Sequence, residues 1–164
     1  ELHPVAILLT HGHFDHVMAV DSVRAAYHIP VYAAEAEKET MQDASINLSI
    51  NMGGAMLSVE ADHWLKDGET ITLLDQEVRC ILTPGHTVGG MCFYFPKAGM
   101  LFSGDTLFQE SVGRTDFPGG SMSEIVRSIR EKLFVLPDAV QVYPGHGLMT
   151  SIKNEKMFNP FAVE

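Results

Sequence analysis

Val5-Ala6-Ile7-Leu8-Leu9-Thr10-His11-Gly12-His13-Phe14-Asp15-His16 runs from an apolar strand straight into three imidazoles and a carboxylate. Val5 to Thr10 is apolar on both faces, the pattern of an interior strand covered from both sides. Imidazole and carboxylate together suit borderline divalent ions such as Zn²⁺, Fe²⁺ and Mn²⁺. Four such side chains beside a hydrophobic core carry an electrostatic cost that a bound cation offsets. His11, His13, Asp15 and His16 therefore read as metal ligands.

Outward from this stretch, Val17, Met18, Val20, Val23 and Ala26 lie at helical spacing within Asp15 to Tyr27, and Pro30 stops that helix. Val31 to Ala33 reads as a short strand and Ala34 to Met41 as a polar-faced helix. Asp43 to Asp62 is irregular, and its Met52-Gly53-Gly54-Ala55-Met56 stretch reads as an irregular connection, with a flexible flap near the site as the alternative. From Glu69 the texture becomes a meander of strands at Thr70–Leu74, Glu77–Thr83, Gly90–Phe95 and Gly99–Ser103. Ser121 and Glu124 match a capping box, followed by an apolar helical face of Ile125, Ile129, Leu133 and Val135. Val140–Tyr143 is the last strand and Ser151–Met157 a terminal helix. With no linker, repeat or low-complexity segment, residues 1–164 read as one α/β domain.

The opening arrangement recurs. Cys80-Ile81-Leu82-Thr83-Pro84-Gly85-His86, Met100-Leu101-Phe102-Ser103-Gly104-Asp105 and Val140-Gln141-Val142-Tyr143-Pro144-Gly145-His146 each run from strand through glycine to a ligand-type residue. Glycine, free to take positive φ, aims the next side chain over the sheet edge. A lone Gly-His carries no information, but three such ends after a His-x-His-x-Asp-His cluster form a specific signal.

These motifs, with Gly113-Arg114-Thr115-Asp116-Phe117-Pro118, resemble the metallo-β-lactamase superfamily, and within it the small glyoxalase II-like hydrolases. The resemblance runs from Val5 to the end of the chain. It implies an αββα sandwich with two divalent metal ions at one rim: His11, His13 and His86 on the first, Asp15, His16 and His146 on the second, and Asp105 between them. Zinc is the first expectation for both, with iron or manganese also suited. Members of that family normally begin with several strands before the ligand cluster. The resemblance therefore implies a sandwich incomplete at its N-terminus, the open edge of Val5–Thr10 reflecting missing sequence, a shortened fold or pairing with another chain.

The implied activity is hydrolysis of a small thioester such as S-lactoylglutathione by a metal-bridging hydroxide, with Asp105 fixing the metals and Asp15 orienting the water. Arg114 is the candidate for a substrate carboxylate, and Thr87 and Asp116 for support around the ligands. Larger glutathione-thioester hydrolases add a basic C-terminal helical segment that this chain lacks, so another small thioester or ester also fits. Two alternatives remain open at this point. One is a mononuclear iron persulfide dioxygenase using His11, His86 and Asp105; the other is a metal-binding remnant without catalysis.

Composition narrows the partners. A formal net charge of -10 argues against nucleic acid and leaves a small molecule as the expected substrate. No apolar run is long enough to span a bilayer and no signal pattern opens the chain, which points to the cytoplasm. Cys80 and Cys92 sit in apolar runs and read as buried free thiols. The nine methionines read as core filler, and His3, His28 and His63 as ordinary surface or helix-end residues.

Overall fold

Strands with apolar residues on both faces need a covering layer on each side, and this chain supplies one with helices and the other with a second sheet. The computed structural model describes residues 2–162; the remaining ends of the expected 1–164 unit, Glu1, Val163 and Glu164, lie outside it. In chain order the elements are β1 (Ile7–Leu8), α1 (Phe14–Val17), α2 (Val20–Tyr27), β2 (Val31–Ala34), α3 (Lys38–Gln42), β3 (His63–Leu65), β4 (Thr70–Leu73), β5 (Gln76–Leu82), β6 (Met91–Phe95), β7 (Met100–Gly104), β8 (Leu107–Phe108), β9 (Ser111–Val112), α4 (Met122–Ser128), β10 (Gln141–Pro144), β11 (Thr150–Ser151) and α5 (Ile152–Phe158). A parallel sheet has the order β1-β2-β3, and a mixed sheet the order β11-β10-β7-β6-β5-β4.

Three apolar clusters fill the gaps between four layers. Leu9, Val31 and Ala33 meet Val17, Val20 and Met41 on the helical side of the small sheet. Ala34 and Leu65 meet Val78, Cys80, Met91 and Phe93 between the sheets. Leu101, Val140 and Val142 meet Ile125, Ile129, Leu133 and Ile152 under α4 and α5. This is the αββα sandwich of the metallo-β-lactamase fold.

Strand directions position the site. β5 and β7 both run antiparallel to β6, and β10 runs parallel to β7, so β5, β7 and β10 all end at one rim. The Met91 amide, at the start of β6, donates to the Thr10 carbonyl at 2.8 Å and pins the end of β1 to the same rim. The four glycine-bearing turns therefore open toward a common space.

β1 has both faces covered, Leu8 toward the large sheet and the following Leu9 toward the helices, and among the described residues it stands at the edge of its sheet, paired only with β2, in line with the open edge expected of Val5–Thr10. Other expectations are corrected. The first helix is two pieces, α1 and α2. Val135 is 71% exposed because the helical turn Ile129–Leu133 ends before it, so it does not extend the apolar face. Of the methionines, Met41 and Met91 are buried, whereas Met18, Met52, Met56, Met122, Met149 and Met157 are exposed, so core filling describes only part of them. Strands β3, β8, β9 and β11 are too short to register as periodic patterns.

Candidate metal centre

The rim gathers the seven residues singled out in the sequence. His11 and His13 leave the end of β1, and Asp15 and His16 stand on α1. His86 follows β5, Asp105 follows β7 and His146 follows β10. One group of nitrogen donors is His11, His13 and His86, with His13 Nδ1 2.9 Å from His86 Nε2. A second is Asp15, His16 and His146: His146 Nε2 lies 3.2 Å from both His16 Nε2 and Asp15 Oδ2. Asp105 stands between them, its Oδ2 3.6 Å from both His86 Nε2 and His146 Nε2 and its Oδ1 3.5 Å from His16 Nε2.

The electrostatics of this cluster favour a cation. Burial, then the neighbouring imidazoles, hold His11 well below its ordinary range, and the same causes bring His13 down to about 4. His16 is also lowered by burial, against the pull of Asp105 and Asp15, while burial pushes Asp105 up. His11 and His13 are thus neutral at pH 7, with lone pairs available. His86 Nδ1 faces the Arg114 carbonyl at 2.7 Å, which fixes the proton there and leaves Nε2 bare toward the cluster. His11 Nε2, His13 Nε2 and Asp105 Oδ1 are buried with no hydrogen-bond partner, a cost that a coordinated ion removes. The donor set therefore fits a pair of divalent ions: the three-histidine half is buried, and the other half reaches solvent through the 58%-exposed His146 side chain.

The glycines act in two ways. Gly85 (φ +136°) and Gly104 (φ +51°) take the backbone conformation foreseen for such turns. Gly145 does not take positive φ. It is needed because a Cβ there would overlap Asp105 Oδ1 and stand 2.8 Å from His16 Cε1.

Beside the donors lies a cavity of about 410 Å³, with Phe14, Leu48, Met52, Phe108, Val112 and Phe117 among its walls. The β8–β9 hairpin contributes Phe108 and Val112, a wall with no sequence signal longer than two residues. Arg114 lines the cavity, but its guanidinium is held by Asp116 at 2.7 and 2.9 Å and lies 4.1 Å over the Phe117 ring. The Arg114 contact to the donors is made by its main-chain carbonyl. The side-chain hydrogen bonds of Thr87 and Asp116 go to neighbours of the donors and not to the donors themselves: Thr87 bonds Glu37 and Asp116 bonds Arg114. His28 caps α2 and His63 stacks on Tyr32, both away from the rim. Glu37, 1% exposed, went unrecognised in the sequence because Glu35 and Glu39 beside it are ordinary surface residues.

Known proteins are similar to this chain in sequence and fold. The family model described as the metallo-beta-lactamase superfamily matches residues 1–146. A "Probable metallo-hydrolase YqgX" of Bacillus subtilis is 41% identical over 98% of this chain and 76% of its own length. The "Hydroxyacylglutathione hydrolase GloC" of Haemophilus influenzae is 34% identical over 98% of this chain and 77% of its own. Among solved structures, the BLEG-1 B3 metallo-beta-lactamase superposes with a TM-score of 0.93 at 41% identity, covering 99% of this chain and 79% of that one. TTHA1623, solved in a di-iron-bound form, superposes with a TM-score of 0.85 at 36% identity, covering 98% and 78%.

Proposed function

The chain belongs to the metallo-beta-lactamase superfamily, and from that membership and the donor geometry we propose that it is a metal-dependent hydrolase of a small thioester, S-lactoylglutathione being the first candidate. The observation that carries the reading is Asp105, a half-buried carboxylate within 3.6 Å of donors from both groups. His11, His13 and His86 would hold one ion, Asp15, His16 and His146 the other, and Asp105 would bridge them. When bound, such a pair supplies hydroxide near neutral pH and polarises a carbonyl oxygen. Zinc suits an imidazole-rich set; the di-iron form of TTHA1623 supports iron as the alternative.

The chain's own groups do the rest. Apolar walls such as Phe108, Val112 and Phe117 exclude water around the scissile bond. Asp15, which lines the cavity and faces His146, orients the nucleophilic water by accepting its hydrogen. Arg114, preorganised by Phe117 and by the Asp116 carboxylate that takes Nε and Nη2, offers the remaining edge of its exposed guanidinium to a substrate carboxylate. The unpaired, buried Cys80 and Cys92 and the absence, among the described residues, of any helix long and apolar enough to cross a membrane support a cytoplasmic setting.

The test is elemental analysis of protein purified without added metal, alongside assays of thioester hydrolysis, β-lactam hydrolysis and oxygen uptake. Two ions per chain with thioester turnover support the proposal. One iron with oxygen consumption and no hydrolysis replaces it with the dioxygenase; two ions with β-lactam turnover alone replace it with a lactamase. Asp105→Ala should halve the metal content and lower thioester turnover by at least about a hundredfold, the upper end of what removing a ligand's outer partner costs.

A further inference from the structure

A single buried carboxylate joins the two loops that carry the three-histidine group. Glu37 closes the 3₁₀ turn Glu35–Glu37 after β2. Its Oε1 accepts the Gly12 amide at 2.9 Å, and Gly12 sits between His11 and His13. Its Oε2 accepts the Gly89 amide at 2.7 Å and the Thr87 hydroxyl at 3.0 Å, in the loop that begins with His86. Thr40 also bonds the carboxylate from the following helix.

The loops pack tightly against this turn and the helix α3 that follows it. A Cβ on Gly12 would stand 2.8 Å from Met41 Cγ, and one on Gly89 would overlap the Glu37 backbone nitrogen. The His11–His13 loop belongs to the small sheet and the His86 loop to the large one. In sequence the two are 73 residues apart at their closest pair, His13 and His86. Glu37 is therefore a direct polar tie between two independently delivered halves of one donor tripod.

We propose that Glu37 is a positioning residue for the three-histidine ion: its carboxylate sets the spacing between the His11–His13 loop and His86, and affinity for a divalent cation there depends on it. The proposal rests on the reading that these histidines hold an ion. Both oxygens must accept, because Gly12 and Gly89 present only N–H donors. An amide of the same shape accepts at one oxygen and sets an NH₂ against a donor at the other, so Glu37→Gln disrupts the tie with little change in volume.

The experiment uses the full chain stripped by chelator and titrated with Co²⁺ and then Zn²⁺ alone, read by visible absorption and chelator competition. Thermal unfolding of the metal-free protein is recorded in parallel. His146→Ala, which removes a donor of the other half only, serves as the background that leaves the three-histidine half to be read by itself. Glu37→Gln should lower affinity about 10- to 100-fold in that background, the range for an outer partner of a metal ligand, and alter the Co²⁺ spectrum. Unchanged affinity and spectrum overturn the proposal. If Glu37→Gln fails to fold, Thr87→Val decides: losing one of the bonds should cost about fivefold in Co²⁺ affinity, and no loss overturns the idea. A wild-type chain that binds neither ion overturns the metal reading and this inference together. A wild-type chain that binds two, with variants that match it, overturns this inference alone.

Discussion

His86 illustrates how much each position is asked to do. Its Nδ1 is committed to the Arg114 carbonyl and its Nε2 to the donor cluster, so the ring has no free orientation. The identity of such residues was readable because imidazole and carboxylate repeat at strand ends, a short-range pattern. Glu37 was not, since burial of one glutamate among exposed ones is decided by packing between distant loops. The cysteines were readable from their apolar neighbours, and they set a pH dependence. Burial pushes both Cys80 and Cys92 up to about 11 from 9.0. Between those values the unfolded chain binds fewer protons than the folded one, so stability falls as pH rises. Each thiol contributes a slope of about 1.4 kcal/mol per pH unit in that window. Urea titrations at pH 8 to 11 should find the slope of Cys92→Ala shallower by that amount; an unaltered slope would refute the assignment.

Among elements, α4 supports the site from behind. Ser121 accepts the Glu124 amide at 3.3 Å, one half of the expected capping box; the reciprocal half is absent, because the Glu124 carboxylate faces Arg127 and the Ser121 amide donates to the Gly85 carbonyl, while Ser128 Oγ donates to the Pro84 carbonyl, fastening the turn that presents His86. Ser121→Ala should cost about 1 kcal/mol by loss of the cap, lowering Tm by about 2–4 °C in calorimetry. A shift several times larger would mean that the turn itself depends on this hydroxyl. The meander from β4 to β7 was legible within a residue or two because alternation and turn residues are local. The β8–β9 hairpin was not: Leu107, Phe108, Ser111 and Val112 pair over two residues each, held by Ser103 Oγ donating to the Leu107 carbonyl and by the buried Glu155, which accepts the Glu110 amide. Long-range side chains define that element, and no window of sequence contains them.

For the whole molecule, the layer order followed from the family resemblance that the strand-to-ligand motifs carried, and not from the motifs themselves; the pairing of β10 beside β7 was visible in neither. Metal removal should be felt globally. Ions present at about 1,000 times their dissociation constant stabilise the folded state by about 4 kcal/mol per site, and chelation should therefore lower Tm by roughly 8–16 °C for each ion removed in a chain of this size. No change in Tm on chelation would count against ions held by the native rim. His11 and His146 lie near opposite ends of the sequence, yet meet at one point. Ions gripped there would act as a reversible cross-link enclosing most of the polypeptide, as a disulfide would in an oxidising compartment. In a cell short of the metal, the chain would open more often to proteases, so its abundance as well as its turnover would follow metal supply.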